Sequence, residues 1–141
     1  MKKIAIHVVA ALVALPVFAD GHASGDAEAG EKAFRKCKSC HAVVADDGTV
    51  LAKGGKTGPN LYGIAGRTAG TVEGFKYGDS IVAAGEKGLV WDETTFVEYA
   101  QDPKAFLKTY LDDTSAKSKM TFKLKKGGED VYAYIASVSG E

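Results

Sequence analysis

The sequence is short of bulky aliphatic side chains and has no excess of charge of either sign. Its 141 residues include 18 Lys or Arg and 18 Asp or Glu, a balance that argues against binding nucleic acid through overall positive charge. From residue 20 onward, Leu, Ile, Val and Phe make up only 23 of 122 residues, near the ~20% level below which highly charged chains are disordered. Because the net charge is low, we expect one small domain whose centre is filled by disulfides, a metal or a large apolar cofactor.

The first 19 residues have the pattern of a secretory signal peptide. Lys2 and Lys3 precede an apolar run from Ile4 to Ala19, which ends in residues suited to cleavage. The run has 16 residues, fewer than the ~20 that cross a bilayer as a helix, and an uncleaved membrane anchor is the alternative. We predict cleavage after Ala19, with Ala23 as the second choice, and export of a mature domain spanning residues 20–141 to the periplasm.

Cysteine occurs only twice, in the segment Cys37-Lys38-Ser39-Cys40-His41. A redox dithiol usually stands in a βαβ context, and a structural zinc site needs a second pair of ligands; the sequence offers neither. A disulfide between residues three apart would close too short a loop to stabilise much. Covalent attachment of haem c uses both thiols for the vinyl groups and the histidine for the iron. We favour haem c, because it also explains the small number of core residues.

The sixth iron ligand has two candidates in the mature chain, Met120 and His22. A thioether is a soft ligand that favours ferrous iron and raises the reduction potential. A lone methionine is more often a core residue, but Met120 stands in polar, lysine-rich surroundings. His22 lies close to the predicted mature N terminus, where chain ends are commonly free. We therefore predict Met120 opposite His41.

Hydrophobic spacing and capping residues predict an all-α domain with helices at both ends and a loop-rich middle. Seven glycines between Lys53 and Gly74 predict a loop that can approach a flat group closely. No strand pattern is found. The segments assigned to helices are Asp26 (as cap) to Cys37, Asp79 to Ala84 with Gly85 closing it, Asp92 to Gln101, Asp102 to Leu107, and a last helix from near Gly128 through Val138.

Several motifs follow one another in the order seen in class I c-type cytochromes. They are Cys37-Lys38-Ser39-Cys40-His41, Lys56-Thr57-Gly58-Pro59-Asn60-Leu61, Gly66-Arg67, Gly74-Phe75-Lys76-Tyr77, Trp91, Tyr99 and Lys119-Met120. The sequence resembles this family over about residues 30–138, and most resembles its bacterial cytochrome c2 type, because residues 43–55 and 110–117 form longer segments than in mitochondrial members. The resemblance implies the class I fold, in which Gly30 and Phe34 meet Tyr134 where the terminal helices cross, and short helices and loops surround one haem.

The resemblance also implies roles for single residues around the haem. The carbonyl of Pro59 is expected to accept a hydrogen bond from Nδ1 of His41, and the hydroxyl of Tyr99 to approach the sulfur of Met120. The other residues matched to the pocket are Arg67, Tyr77 and Trp91 for a haem propionate, Ser118 where mitochondrial members usually have threonine, and Phe122 beside the exposed haem edge. Ser80 and Ile81 replace a region where those members carry asparagine, so we expect a different polar network there.

Charge is unevenly distributed although its sum is close to zero. Residues 30–40 and 117–126 together carry a net charge of +8, which leaves −10 on the rest of the mature chain. Such asymmetry speeds docking on an acidic partner and makes the rate depend on salt. The lysines expected at the docking face are Lys36, Lys38, Lys56, Lys119, Lys123 and Lys125.

These features predict a monomeric, diffusible one-electron carrier rather than an enzyme. By resemblance, its donor would be the cytochrome bc1 complex and its acceptor a photosynthetic reaction centre or a terminal oxidase, each docked transiently through charge. The alternative is a haem enzyme, such as a peroxidase or a gas-binding protein, which needs an open or labile iron position. Besides His41, the mature chain has only His22 to serve a distal acid–base pair, so the carrier is favoured.

Overall fold

The computed structural model describes residues 23–140 and is mainly helical. The predicted signal peptide, the cleavage site after Ala19 and His22 lie outside the described residues. The elements are α1 (Ala27–Phe34), β1 (Val43–Val44), β2 (Val50–Ala52), α2 (Asp79–Glu86), α3 (Glu93–Gln101), α4 (Pro103–Leu111) and α5 (Gly128–Ser139). Within residues 23–140, no helix combines the length and the apolar character needed to cross a membrane.

The two terminal helices cross in close contact, as predicted. The ring centroids of Phe34 on α1 and Tyr134 on α5 are 5.5 Å apart. A Cβ atom at Gly30 would overlap the backbone oxygen of Asp130 and lie 2.8 Å from Cβ of Tyr134, so only glycine permits this approach. Asp26 caps α1 as predicted, and its own N–H donates to Oδ1 of Asp130 over 2.9 Å. The N terminus of α1 is therefore fastened to α5.

The first helix is shorter than predicted. α1 ends at Phe34 rather than Cys37, because the N–H groups of Lys36 and Cys37 donate to carbonyls three residues back, at Ala33 and Phe34. This tighter turn ends the α-helical ladder. The residues from Arg35 to the second cysteine therefore form a turn.

Two middle helices are longer than predicted. Gly85 lies within α2 rather than closing it. A Cβ atom at this position would overlap the carbonyl oxygen of Ala69. Its glycine serves close packing, and α2 instead stops before Gly88, whose φ is +102°. α4 continues past Leu107 to Leu111 and ends where Asp112 adopts a left-handed conformation with φ of 55°.

The expectation that the chain has no strands is wrong. β1 and β2 form an antiparallel pair in which Val43 faces Ala52. The turn between them is held by Asp47, whose Oδ1 accepts a hydrogen bond from the N–H of Thr49 over 2.8 Å. With two and three residues, the strands are too short to show an alternating pattern. The fold class is unchanged by this small hairpin.

Aspartates cap the starts of both α3 and α4, and the cap at Asp102 was predicted. Asp92 forms a capping box with Thr95 at the start of α3. Asp102 ends α3 and caps α4, and Pro103 follows at the first helical position. Beneath the corner between α3 and α4 the core consists of one cluster of buried residues. Its largest fully buried members are Phe34, Leu89, Leu107, Ile135, Val43 and Val131.

Candidate cofactor site

A cavity of about 260 Å³ lies between the cysteine segment, α3 and the loops that precede and follow it. Its lining is mostly apolar. The predicted site residues that line it are Lys36, Cys37, Cys40, His41, Pro59, Tyr77, Trp91, Tyr99, Ser118, Lys119, Met120 and Phe122. The structure therefore brings together residues that are up to 86 positions apart in the sequence.

Both cysteines are free thiols at the edge of this cavity. Burial raises the pKa of Cys37 to about 11, and the neighbouring Cys40 adds to the rise. Hydrogen bonds from the side chains of Thr57 and Ser39 lower the pKa of Cys40. Because no disulfide joins them, both thiols are available to a group in the cavity.

The ring of His41 is held in one orientation. Its Nδ1 lies 2.8 Å from the carbonyl oxygen of Pro59, which is the predicted hydrogen bond. Burial lowers the pKa of His41 more than this bond raises it, so the ring is neutral and Nδ1 carries the donated proton. Nε2 makes no hydrogen bond to any residue between 23 and 140. It is the nitrogen with a free lone pair, as a metal ligand requires.

Gly58 is a site residue that the sequence analysis placed in a family motif and a glycine-rich loop but gave no role of its own. A Cβ atom at Gly58 would overlap Cε1 of His41 and lie 2.6 Å from its Nδ1. Only glycine leaves room for the imidazole at this position. Its place directly before Pro59, within a glycine-rich loop, was the available signal.

Met120 lines the cavity in a segment that is fixed through its backbone. The hydroxyl of Ser118 donates to the carbonyl oxygen of Met120 over 2.9 Å. The hydroxyl of Tyr99 lies 3.4 Å from Oγ of Ser118, and burial raises the pKa of Tyr99. α3 is thereby linked to the methionine segment.

The three residues matched to a haem propionate are not placed alike. Trp91 and Tyr77 line the cavity. The ring of Trp91 packs edge-to-face against that of Tyr99, with 5.1 Å between the ring centroids. Arg67 does not line it; its Nε donates to the carbonyl oxygen of Gly63 over 3.1 Å. Burial raises the pKa of Tyr77, while the hydrogen bond from the N–H of Val72 and the charge of Arg67 lower it.

The six predicted docking lysines fall into two groups. In the described part of the chain, the ammonium groups of Lys36, Lys38 and Lys56 have no hydrogen-bonded or ion-paired partner. The other three have one each: Lys119 donates to the carbonyl oxygen of Lys76 over 2.9 Å, Lys123 pairs with Asp102 at 2.6 Å, and Lys125 reaches the carbonyl oxygen of Gln101 at 3.4 Å. Phe122 is 42% exposed among them.

The sequence interpretation missed several apolar residues that line the cavity. They are Leu61, Ile64, Phe75, Ile81, Phe96, Leu107, Leu124 and Val131. Leu61 and Phe75 belong to motifs that carry the family resemblance, whereas the local patterns of most of the others do not separate them from ordinary core residues. Ile81 does stand where mitochondrial members carry asparagine, and Ser80 next to it accepts a hydrogen bond from the N–H of Lys117 over 3.0 Å.

The donor set fits haem c. Two free thiols flank an apolar cavity, one histidine is fixed through Nδ1 with Nε2 free, and one thioether lines the same cavity. Cysteine thiols bind haem covalently, while imidazole and thioether are its common axial ligands in cytochromes c. Among residues 23–140, no three His, Cys, Asp or Glu side chains cluster closely enough to hold a metal ion.

Comparison with known proteins gives close relatives. Cytochrome c-551 of Roseobacter denitrificans is 60% identical over 99% of this chain and 96% of its own length. Cytochrome c2 of Rhodobacter capsulatus is 59% identical over 94% of this chain and 97% of its own. The crystal structure of the Rhodobacter capsulatus protein superposes with a TM-score of 0.79 at 62% identity, covering 81% of this chain and 98% of that one. No family model matches the chain.

Proposed function

The chain belongs to the family of cytochrome c2, class I electron carriers with one covalently bound haem c, and from this premise we propose that it carries single electrons with His41 and Met120 as axial ligands. When bound, haem c supplies an iron atom that gains and loses one electron. We infer that it is not an enzyme, because an electron carrier makes and breaks no substrate bond. Cys37 and Cys40 would hold the group covalently through their thiols.

The residues around the two proposed ligands fix them for this task. The carbonyl oxygen of Pro59 accepts a hydrogen bond from Nδ1 of His41. This bond orients the ring and keeps Nε2 available to the metal. Ser118 holds the backbone carbonyl of Met120, and Tyr99 contacts Ser118 in turn. Because both residues are fixed by their neighbours, His41 and Met120 would remain ligands in either oxidation state of a bound haem, which would keep the structural change on electron transfer small.

The remaining pocket residues serve the rim of the cofactor. We propose that Arg67, Tyr77 and Trp91 provide donors for a propionate, because a buried carboxylate needs such partners. Phe122 lies at the exposed side of the cavity. It marks the edge at which electrons pass to a partner.

Docking would use the lysines around this edge. Lys36, Lys38, Lys119, Lys123 and Lys125 belong to the two basic segments, residues 30–40 and 117–126, and the sixth proposed docking residue, Lys56, lies outside them. An acidic surface on a partner would be attracted and oriented by them. We propose the cytochrome bc1 complex as donor and a photosynthetic reaction centre or terminal oxidase as acceptor.

The same proposal places the protein in the periplasm as a soluble monomer. Its support is the signal peptide predicted over residues 1–19, with the mature domain over residues 20–141. Mass spectrometry of the exported protein tests the cleavage after Ala19. Fractionation of the producing cells tests the compartment.

The observation that carries the proposal is the meeting of His41 and Met120 at one cavity with both cysteines. The test is an absorption spectrum of the protein, exported in a host that attaches haem c, in both oxidation states. We expect a covalent c-type spectrum, the weak ferric methionine–iron band, and slow reaction with cyanide. A c-type spectrum without that band would overturn Met120 as ligand and favour a haem enzyme with a labile sixth position.

A further inference from the structure

Asp102 uses its two carboxylate oxygens for two different structural elements. Oδ1 accepts the N–H of Ala105 over 3.1 Å and so caps α4. Oδ2 lies 2.6 Å from Nζ of Lys123, which is three residues beyond Met120. The hydrogen bond from Lys123 is the main cause of the lowered pKa of Asp102, followed by the bond from Ala105. One carboxylate thus joins the α3–α4 corner to the methionine segment.

Two further contacts fasten the same stretch of chain to this corner. The N–H of Leu124 donates to the carbonyl oxygen of Ala100 over 2.8 Å, and Nζ of Lys125 reaches the carbonyl oxygen of Gln101 at 3.4 Å. Leu124 is buried and lines the cavity. The position of the chain that leaves Met120 therefore depends on residues 100–102.

The ion pair is accessible from solvent. The side chain of Lys123 is 45% exposed and that of Asp102 is 34% exposed. Exposed ion pairs contribute little net stability, so a carboxylate on a docking partner can compete with Asp102 for the lysine. Lys123 also follows Phe122, the exposed aromatic residue at the cavity, so a partner that docks there meets the pair.

We propose that Asp102 is an internal competitor for docking: it holds Lys123, and with it the segment that follows Met120, until a carboxylate of an acidic protein partner takes the lysine. The inference rests on the proposed function, because it assumes that acidic partners dock on the lysines. It assigns to Asp102 a positioning role that the sequence interpretation did not give it. It also divides the predicted docking lysines, since Lys123 is neutralised in the free protein and Lys36 and Lys56 are not.

The chain offers a matched control for the charge and for the helix cap. Asp92→Asn and Asp102→Asn each remove one negative charge from an aspartate that caps a helix, and asparagine caps helices as well as aspartate. Only Asp102 has a lysine partner among residues 23–140. Lys123→Gln removes the other partner of the ion pair. The double variant Asp102→Asn/Lys123→Gln completes a double-mutant cycle, which measures the coupling between the two residues.

The first measurement is amide hydrogen exchange at Leu124 in the haem-loaded protein, followed by NMR. We expect Asp102→Asn and Lys123→Gln each to speed this exchange about two- to fivefold, as for loss of an exposed ion pair. The double variant should be no faster than either single variant, and Asp92→Asn should match the wild type. Additive effects, or equal effects of the two aspartate variants, would overturn the positioning role.

The second measurement is the association rate with purified cytochrome bc1 complex at low ionic strength. Asp102→Asn should speed association more than Asp92→Asn, and this surplus should disappear in the Lys123→Gln background. Equal rates for the two aspartate variants would overturn the competition. That failure differs from failure of the proposed docking itself, which would show as unchanged association when Lys36 and Lys56 are neutralised.

Discussion

The hydroxyl group of Tyr99 lies 3.4 Å from Oγ of Ser118, and Ser118 in turn donates to the carbonyl oxygen of Met120 over 2.9 Å. A serine hydroxyl has one hydrogen, which here points to Met120, so Tyr99 is the donor to Ser118. The chain of two bonds runs from α3 to the backbone of the proposed iron ligand. It explains how a residue in the middle of a helix acts on a loop 21 positions away.

The first prediction concerns this link. Ser118→Ala should leave the Tyr99 hydroxyl and the Met120 carbonyl without their partner and lower the free energy of unfolding by about 1 kcal/mol. It should also speed the binding of imidazole to the ferric protein several-fold, because the methionine segment opens more often. Stopped-flow absorbance measures the rate. Ser118→Thr keeps the hydroxyl and serves as control; equal rates for both variants would contradict the role of the link.

The second prediction concerns the sixth ligand. Met120→Ala should lower the reduction potential, by an amount on the order of 0.1 V within the ~0.8 V range that axial ligands and surroundings span. It should also admit cyanide or imidazole without delay. Spectroelectrochemical titration and ligand binding check both effects. An unchanged potential and spectrum would exclude Met120 as the ligand.

Helix caps and motif residues could be predicted well because their causes are local. Asp26, Asp92 and Asp102 each precede a helix whose first free N–H groups they bind. The partner of Nδ1 of His41 was also predictable, but only from the family resemblance, since Pro59 is 18 residues away. The prediction that the terminal helices cross at Gly30 and Tyr134 came from the same resemblance.

What could not be predicted depends on contacts between distant exposed residues. No sequence pattern joins Lys123 to Asp102, which is 21 residues away, or Lys119 to the carbonyl oxygen of Lys76, which is 43 residues away. A lysine in a basic run gives no sign of whether its ammonium group is free or bound. The short hairpin closed by Asp47 was not predicted for another reason. Strands of two and three residues are too short to show an alternation of apolar and polar side chains.

The third prediction concerns the crossing of the terminal helices. Alanine normally stabilises a helix relative to glycine by about 1 kcal/mol. Gly30→Ala should instead lower the free energy of unfolding by about 1–3 kcal/mol, because its Cβ would overlap the backbone of Asp130. Guanidinium unfolding of the haem-loaded protein measures the change. The neighbouring exposed variant Glu31→Ala should stay within about 0.5 kcal/mol; a stabilised Gly30→Ala would contradict the packing.

The fourth prediction concerns the lysines without an internal partner. Replacing Lys36 and Lys56 together by glutamine should slow association with purified cytochrome bc1 complex about two- to tenfold at low ionic strength, and the difference should shrink as salt is added. Lys87→Gln/Lys108→Gln removes the same charge from two lysines that are not among the predicted docking residues and should have a smaller effect. Equal slowing by both pairs would indicate overall charge rather than a docking face.

The last prediction concerns acid stability. The hydrogen bond from Lys123 and the N–H of Ala105 hold the pKa of Asp102 below its ordinary value in the folded protein. A carboxyl whose pKa is lowered by folding stabilises the fold at pH values above its unfolded pKa, about 3.9, and this contribution disappears as pH falls through the lower folded value. The difference in unfolding free energy between the wild type and Asp102→Asn should therefore be constant near pH 6 and diminish below about pH 4.

Guanidinium unfolding of both proteins at a series of pH values between about 2 and 6 measures this difference. Acid effects on the cofactor ligands are common to both proteins and cancel in the difference. A difference that stays constant down to the lowest pH would show that the Asp102 carboxylate does not owe its stability contribution to Lys123 and Ala105.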